Sequence, residues 1–415
     1  MPALPPYDEA LRSVLEGVAA LDVGHAPLGD ALGRVLREPV AADRDQPPFE
    51  RSAMDGFAVS SAHWTPRRSW RIVGSVPAGA AWNGDADPAH DVVRIATGSA
   101  VPPPFDAVVQ VELAQADPDA DSETVRFTLD EVAPWRNVHR RGADAAAGDV
   151  LIAAGTRLGP HHLALAATAG VASPVVTRRP RVVVLSSGDE VVDPATPTTD
   201  LSPQQIRNSN GPLLTALLAR LGADVLEHRH VPDTAPAVAD ACRAAAGRAD
   251  LVVTAGGVSV GERDLFPDAW RGLGFDTRLH GVAMQPGKPV LSVRGVVDGG
   301  ADPRPVHVLG LPGNPVSVLA TAYLFAWPLL RALEGEAAPL PWRRVWLAEP
   351  TSSNARRDAF RPARLLGDAR DQAAVVSWRG SGDLSHTAAA DGLLALPAAE
   401  GELTPGQPLR FLAFV

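Results

Sequence analysis

The chain has 415 residues, 46% hydrophobic and 21% charged, a composition typical of a globular protein with roughly two to four domains. A formal net charge of −10 argues against a protein that binds nucleic acid or an anionic membrane through a general positive field. One cysteine, Cys242, excludes an internal disulfide and a cysteine-rich zinc site, which predicts packing for this residue and a reducing, cytoplasmic location for the chain.

Neither a signal peptide nor a membrane span is expected. The start, 1-MPALPPYDEA-10, lacks a basic segment and an apolar core. The longest uncharged stretch, 307–330, is interrupted by glycine and proline before its apolar part begins.

In the first half of the chain, the predicted secondary structure changes from helices to short strands and back again. Leucine and valine at helical spacing predict helices over 8–18 and 28–40. A small β-rich domain is then predicted from about 45 to 138, from the runs 70–76, 92–95, 107–112 and 124–132. The strand-like run 149–158 and the alanine-rich helix 160–170 are interpreted as part of the same layer as the first helices. The β-rich domain between them is therefore predicted to be an insertion.

Strands and helices alternate after residue 181. The predicted elements are 181–188, 212–222, 223–231, 235–247, 250–257, 305–313 and 315–333. Unbroken apolar strands between amphipathic helices indicate a parallel sheet covered on both faces. The tail returns to short strands, over 343–349, 374–379 and 408–415, and predicts a small separate β domain.

Ligands of an open parallel sheet bind beyond the carboxyl ends of its strands. Three loops at such ends are informative: 186-SSGDE-190, 254-TAGGVSVGERD-264 and 309-LGLPGNP-315. The middle loop is interpreted as a phosphate or nucleotide cradle, because glycine lets the backbone approach an anion. Glycine in a strand-to-helix turn also has a purely steric explanation. The cradle residues are Gly256, Gly257, Ser259 and Gly261.

Carboxylates reinforce the prediction of a site. Glu190, Asp233 and Asp264 each follow a strand of the predicted sheet, and such oxygen ligands suit Mg²⁺ shared with substrate phosphates. Turn chemistry and helix capping are the alternative. Asn314 is predicted at the N-cap of the helix that Pro315 opens, with an amide suited to reading the edge of a heterocycle.

Lys288 is the only lysine among the 38 basic residues and lies in the loop 284-MQPGKP-289. An ammonium group is a point charge that meets a small oxyanion from one direction, whereas guanidinium is a planar fork. We therefore predict that Lys288 binds an oxyanion, the alternative being a lysine without a particular role.

Seven runs resemble, in order, the MoeA family, which includes the E domain of gephyrin and its plant relatives. They are 51-RSAMDGFAV-59, 94-RIATGSAVP-102, 137-NVHRRGADAAAGDVLIAAGTRL-158, 186-SSGDEV-191, 256-GGVSVGERD-264, 284-MQPGKP-289 and 309-LGLPGNPVS-317. The resemblance implies an α/β multidomain fold. Its expected parts are an elongated helical linker and dimerisation domain (1–44 and 139–177), an inserted β-rich domain (45–138), a three-layer α/β molybdopterin-binding domain with a parallel-rich sheet (178–334) and a C-terminal small β-barrel domain (335–415).

The activity that the resemblance implies is that of a molybdopterin molybdenumtransferase. Such an enzyme inserts molybdate into adenylylated molybdopterin, with Mg²⁺-dependent release of AMP, to give molybdenum cofactor. A homodimer whose active cleft is shared between subunits is implied too, with a molybdopterin adenylyltransferase upstream. The alternatives are a non-catalytic molybdopterin-binding carrier or scaffold, and a paralogue specific for tungstate.

Roles follow from the resemblance position by position. The catalytic residues are expected to be Asp55, Glu190, Asp233, Asp264 and Lys288, of which Glu190, Asp233 and Asp264 hold the metal. The cofactor-binding residues are expected to be Thr97, Arg140, Arg141, Asp144, Gly256, Gly257, Ser259, Gly261, Pro312, Asn314, Pro315 and Ser381.

The chain departs from its relatives in its cations. They have lysine at the position of Gln285 and near His280, and arginine at the position of His139. The expected replacements are Arg140, Arg141, Arg278 and Arg263.

Overall fold

The structure is a computed structural model that describes residues 3–116, 123–257, 265–297, 303–336 and 338–415. The chain forms two compact units. One, the sheet unit, comprises Met1–Gly24, Gly33–Val35 and Val175–Val415, and the other, the β-rich unit, comprises His25–Leu32 and Leu36–Pro174. The four-way division at residues 44, 138, 177 and 334 stays a prediction.

The sheet unit is built on six strands: β1 (Arg181–Ser187), β2 (Asp224–Val231), β3 (Leu251–Ala255), β4 (Asp276–His280), β5 (Leu291–Val297) and β6 (Arg304–Leu311). Their order across the sheet is β2-β1-β3-β6-β5-β4. The first four in that order run parallel, whereas β5 is antiparallel to both of its neighbours. The parallel-rich sheet is confirmed, and the edge pair β4 and β5 is an addition to the predicted elements.

Helices cover both faces of this sheet. They are α1 (Asn210–Arg220), α2 (Ala235–Ala246), α3 (Leu265–Gly272), α4 (Pro315–Thr321) and α5 (Trp327–Leu333). Successive residues of β1 alternate between two cores: Val182 belongs to the core that includes residues of α1, α4 and α5, and Val183 to the core that includes residues of α2 and α3. Cys242 of α2 is fully buried in the second core, as its packing role requires. The three-layer architecture is confirmed.

Helices α4 and α5 join through a π-helical segment, Ala322–Ala326. The continuous helix Pro315–Leu333 is long and apolar enough to cross a membrane by length and composition, but 78% of the tested window is buried inside the fold. Such burial is that of a core helix, so this helix gives only weak support for a span.

The C-terminal region forms a small closed barrel. Its strands are β7 (Arg343–Leu347), β8 (Asp358–Leu366), β9 (Gln372–Val375), β10 (Gly392–Leu396) and β11 (Pro408–Ala413). They follow the order β8-β9-β7-β11-β10, and pairing of β8 with β10 closes the circle. A short strand, Met284–Gln285, adds to the outside of β8 in parallel. The predicted β-barrel is confirmed.

The β-rich unit contains a six-stranded sheet of Ala107–Gln110, Gly56–Val59, Asp91–Ile95, Trp70–Val76, Thr124–Phe127 and Ala114–Ala116, in that order. The helix Pro160–Thr168 and two small antiparallel pairs accompany it. In one of these pairs, Arg51 stands opposite His139. The β-rich texture of this region is confirmed.

Several elements end earlier than the sequence predicts: the helix predicted over 8–18 is Tyr7–Leu15, and the strand predicted over 374–379 ends at Val375. The predicted helix 28–40 is wrong beyond Ala31, because Gly33 has a φ of 74°, which a right-handed helix cannot contain. From there the chain turns to strand pairing, with Val40–Ala41 against Val150–Ile152. The strand predicted over 124–132 ends at Phe127.

Candidate active site

A polar crevice of about 1170 Å³ lies beyond the carboxyl ends of β1, β2, β3 and β6. Loops of the sheet form part of its wall, and the 284–289 loop and barrel-domain residues form the rest. The predicted residues among its lining are Glu190, Asp233, Gly256, Gly257, Lys288, Pro312, Asn314, Pro315 and Ser381. The carboxyl end of the sheet therefore gathers nine of the predicted residues into one site.

The two glycines after β3 are required sterically. Gly256 and Gly257 have φ of 89° and 63°, which disfavour other residues. A Cβ on Gly257 would lie 2.9 Å from the Phe266 ring, and one on Gly256 would lie 3.0 Å from the Ser187 carbonyl oxygen. The steric explanation therefore holds for this pair. The other two cradle residues, Ser259 and Gly261, lie outside the described residues.

Two acids reach the crevice from neighbouring strands. Glu190 follows β1 and is exposed, and Asp233 follows β2 and is half-buried. Asp189 and Asp233 exchange hydrogen bonds of 3.3 and 3.2 Å, each backbone N–H donating to the other's carboxylate, which ties the two loops together. Asp264 lies outside the described residues, and among those described no three His, Cys, Asp or Glu side chains are grouped as a metal site.

Asn314 joins the sheet to the barrel. It occupies the N-cap position of α4, with Pro315 as the first helical residue, but its side chain makes no capping bond. Instead its Nδ2 donates to Ser381 Oγ at 2.8 Å, while the Val316 N–H donates to the Ser381 carbonyl at 3.0 Å. The Asn314 amide thus holds the loop that carries Ser381 at the crevice.

Among the described residues, four cations line the crevice: Lys288, Arg207, Arg357 and Arg361. Lys288 is exposed, and its carbonyl accepts the Val282 N–H at 2.9 Å. Gln285 stands where the family resemblance implies lysine, and its Oε1 accepts from Asn354 Nδ2 at 2.9 Å. The guanidinium of Arg207 donates to the Thr196 carbonyl at 2.7 Å, so this cation is already partnered.

Of the expected replacement cations that the structure describes, none lines the crevice. Arg140 and Arg141 belong to the β-rich unit, where Arg140 lies 4.7 Å from the Trp135 ring centroid and Arg141 pairs with Asp45 at 2.7 Å. Arg278 lies on β4, and Arg263 is outside the described residues.

In the β-rich unit, Asp55 and Thr97 form a tight pair. Oδ1 of Asp55 accepts the Thr97 backbone N–H at 2.6 Å and the Thr97 hydroxyl at 2.8 Å. These two bonds, the backbone one foremost, lower the pKa of Asp55. The pair therefore presents an ionised carboxylate with a fixed orientation.

His139 and Asp144 form a second pair in this unit. His139 Nε2 lies 2.9 Å from Asp144 Oδ1, and Arg51 Nη2 lies 3.1 Å from His139 Nδ1. Because guanidinium has only donors, Nδ1 accepts from Arg51 and Nε2 donates to Asp144. His139 thus links Arg51 to Asp144.

The sequence prediction missed several residues of the crevice wall. The polar run 206-IRNSN-210 ahead of α1 is a local signal for Asn208 and Asn210. Asn208 Nδ2 donates to Ser186 Oγ at 2.9 Å, and that hydroxyl also contacts His228 Nε2 at 2.9 Å. Three barrel-domain residues have no local signal: Arg357, Arg361 and Trp378.

The fold and crevice define a class of protein: a multidomain α/β protein with a small-molecule site at the carboxyl ends of its parallel strands. Three family models match the chain in succession. They are the MoeA N-terminal region (domain I and II) over 5–170, a probable molybdopterin binding domain over 183–332, and the MoeA C-terminal region (domain IV) over 344–414. The chain belongs to the MoeA family.

Relatives match over nearly the whole length. A protein of Synechococcus elongatus named molybdopterin molybdenumtransferase is 34% identical, over 97% of this chain and 98% of its own. Molybdopterin molybdenumtransferase 2 of Mycobacterium tuberculosis is also 34% identical, over the same shares. The crystal structure of a molybdopterin biosynthesis MoeA protein from Pyrococcus horikoshii matches with a TM-score of 0.78 at 28% identity, covering 99% of each chain.

Proposed function

We propose that the protein is a molybdopterin molybdenumtransferase, which inserts molybdate into adenylylated molybdopterin and releases AMP. The observation that carries this proposal is the convergence of Glu190, Asp233, Asn314, Ser381 and Lys288, from five separate segments, on one crevice. The names of the full-length relatives support the same activity. Cytoplasmic location, consistent with a single buried cysteine, belongs to this proposal.

Adenylylated molybdopterin carries a phosphoanhydride, and molybdate is a dianion. The site therefore has to bind and neutralise the negative charge of both substrates. Lys288 supplies an exposed ammonium at the crevice wall. Ser381, held by Asn314, supplies a hydroxyl that can hydrogen-bond phosphate or pterin oxygens. Catalysis by these residues rests on positioning and electrostatics rather than on a covalent protein intermediate.

Mg²⁺ fits the donor chemistry of the acidic side of the crevice. Glu190 and Asp233 would hold it through carboxylate oxygens, the ligands that this ion prefers, with Asp264 as a third predicted ligand. When bound, the ion would offset negative charge on the phosphates. The reciprocal bonds between Asp189 and Asp233 keep the second carboxylate at the crevice whether or not a metal is present.

The β-rich unit supplies the remaining part of the proposed cleft. Asp55, Thr97, Arg140, Arg141 and Asp144 all belong to it. Our proposal is that the protein is a homodimer in which these residues complete the crevice of the partner subunit. A molybdopterin adenylyltransferase is the proposed upstream partner, because the substrate must first be adenylylated.

The activity is tested by incubating purified protein with adenylylated molybdopterin, Mg²⁺ and molybdate, and measuring AMP release and cofactor formation. Both products are expected to appear together and to require the metal. Binding of adenylylated molybdopterin without AMP release would contradict the proposed enzymatic activity and favour a carrier. Tungstate saturating at lower concentration than molybdate would assign the chain to a tungstate-specific paralogue.

Subunit exchange tests the shared cleft. Asp55→Asn and Glu190→Gln homodimers are each expected to be inactive. If the cleft is shared, a mixed dimer has one intact site, so random exchange restores about a quarter of wild-type activity. No recovery after exchange, checked by mass spectrometry of the mixed dimer, would show that each subunit builds its own site.

A further inference from the structure

Three polar side chains meet at one buried hydroxyl beneath the crevice wall. Ser186, near the end of β1, is 3% exposed. Its Oγ lies 2.9 Å from Asn208 Nδ2, 2.9 Å from His228 Nε2 and 3.1 Å from His230 Nδ1. The two histidines lie two residues apart on β2, so both rings stand on the same face of that strand. These four residues are called the serine cluster below.

The bonds of the serine cluster depend on where its protons are. A hydroxyl offers one proton and two acceptor lone pairs. Asn208 donates to it through Nδ2, because Asn208 Oδ1 already accepts the Gly211 N–H at 3.0 Å. With one lone pair taken, the hydroxyl satisfies both rings only if one ring donates to the other lone pair and the second ring accepts the hydroxyl proton. The accepting ring must therefore be neutral.

The surroundings of the two rings decide which one accepts. A Cβ on Gly211 would collide with the His228 ring, so this ring lies directly against the first turn of α1. The backbone N–H groups of a helix N-terminus disfavour a cation there. His228 is therefore the neutral, accepting ring. His230 donates through Nδ1, and it can take a second proton on Nε2 without losing that bond.

Protonation of His228 would break one bond of the serine cluster. The Ser186 hydroxyl would then face three donors with two lone pairs. Charged donors bind more strongly than a neutral amide, so the bond from Asn208 is the one that is lost.

The pKa of His228 is lowered from 6.5, by burial first and by the nearby His230 second. Among the described residues, no carboxylate contributes to this shift. The serine cluster is therefore intact above pH 6.5, and the Asn208 bond is lost as the pH falls below that value. The elements packed against His228 carry these other titratable residues: Arg181 on β1, Arg220 on α1, Asp240, Cys242 and Arg243 on α2, and Asp224, Glu227 and Arg229 on β2 itself.

Asn208 connects the serine cluster to the crevice. It lines the crevice within the segment 206–210, whose first residue donates its backbone N–H to the Glu190 carbonyl at 2.9 Å. Asn210, at the end of the segment, donates through Nδ2 to the Gly313 carbonyl at 2.7 Å. The segment therefore joins the loop that carries Glu190 to the loop that follows β6.

We propose that His228 is a pH-sensitive positioning residue: while neutral it accepts the Ser186 proton and so keeps Asn208 in place at the crevice wall. When His228 takes a proton, Asn208 loses its bond to Ser186 and the segment 206–210 loosens. A loosened segment no longer fixes the Glu190 loop, so activity falls as the pH is lowered. This effect on activity rests on the proposed function, whereas the effect on the segment does not.

Hydrogen–deuterium exchange of the full-length protein, followed by mass spectrometry, tests the effect on the segment. The Gly211 N–H donates to Asn208 Oδ1, so its protection factor reports how firmly Asn208 is held. This protection is expected to fall about 5-fold to 10-fold between about pH 7.5 and about pH 4.5, the loss of one neutral hydrogen bond. His228→Gln, whose amide oxygen accepts but does not titrate, is expected to abolish the fall.

Two further variants serve as controls. His230→Asn keeps an amide donor at the position of Nδ1 and is expected to retain the wild-type fall. His307→Gln is the matched control, because His307 is another buried histidine of the same sheet with a lowered pKa and does not line the crevice. It too is expected to retain the fall.

Wild-type protein alone can overturn the inference, if its Gly211 protection does not change over this pH range. A fall that persists in a His228→Gln protein with the circular dichroism spectrum of wild type also overturns it. AMP release then separates the two proposals. Lowering the pH is expected to reduce kcat/KM of wild type about 5-fold more than that of His228→Gln. If no AMP is released yet Gly211 protection depends on His228, the proposed function fails and this inference stands.

Discussion

His139 Nε2 lies 2.9 Å from Asp144 Oδ1 and orients that carboxylate. The bond has one possible direction, because Arg51 already donates to Nδ1 and leaves the proton on Nε2. The family resemblance implies an arginine at this position, and the histidine found here still donates a hydrogen bond to the acid. The consequence can be measured on the enzyme.

Replacing His139 by alanine is expected to lower kcat/KM for AMP release by about 10-fold, because Asp144 loses the donor that orients it. His139→Gln, which retains an amide donor, is expected to lose less. His90→Ala is the control, since His90 is another exposed histidine of the β-rich unit, paired with Asp87 at 2.8 Å. Equal activity in both alanine variants would contradict a role for His139 in positioning Asp144.

Thr97 keeps the Asp55 carboxylate ionised through two hydrogen bonds. Thr97→Val removes the hydroxyl donor and raises the pKa of Asp55 towards its ordinary value. If the ionised form is the active one, the acidic limb of the pH–rate profile moves to higher pH, while Thr97→Ser leaves it in place. Thr128→Val, an exposed threonine of the same unit, is the control. An unmoved acidic limb in Thr97→Val would rule out this role.

His307 is buried on β6, and burial, with Arg294 as the next cause, lowers its pKa from 6.5 to about 4. A histidine whose pKa is lower in the folded state stabilises the fold fully only above pH 6.5, and that stability is lost as the pH falls from 6.5 to about 4. The loss is on the order of 3 kcal/mol. Urea unfolding of His307→Gln is therefore expected to depend less on pH over this window than wild type. His280→Gln, exposed on β4, should follow wild type, and parallel curves for all three proteins would refute the assignment.

The alternating part of the fold was predictable because each of its elements carries its own signal. Strands such as β1 and β3 are unbroken apolar runs, and their burial on both faces follows directly. The edge strand β4 has the sequence DTRLH, of which only Leu279 is buried, so no periodicity reveals it. Its strand state comes from pairing with β5.

The residues of the candidate site also fall into a predictable group and a group that the sequence could not predict. Glu190, Asp233 and Asn314 follow apolar strands, and the rule that ligands bind beyond carboxyl strand ends brings them together without coordinates. Arg361 and Trp378 lie in the C-terminal barrel region, and β8, which carries Arg361, pairs with Met284–Gln285. A pairing between segments more than 70 residues apart leaves no local trace, so the place of these residues at the crevice could not be predicted.

Lys288 offers a chemical test that few proteins allow, because the chain contains no other lysine. Limited acetylation modifies this side chain and the terminal amine alone, and it removes the charge that we expect to hold an oxyanion. Molybdate is expected to protect Lys288 from acetylation, as followed by mass spectrometry, while the terminal amine reacts as before. The KM for molybdate of the acetylated protein should rise by about 10-fold, and Lys288→Gln should reproduce that change. Arg278→Gln, a cation outside the crevice wall, is the control. Full activity at low molybdate after complete acetylation of Lys288 would show that its ammonium binds no substrate and leave the oxyanion to the arginines of the crevice.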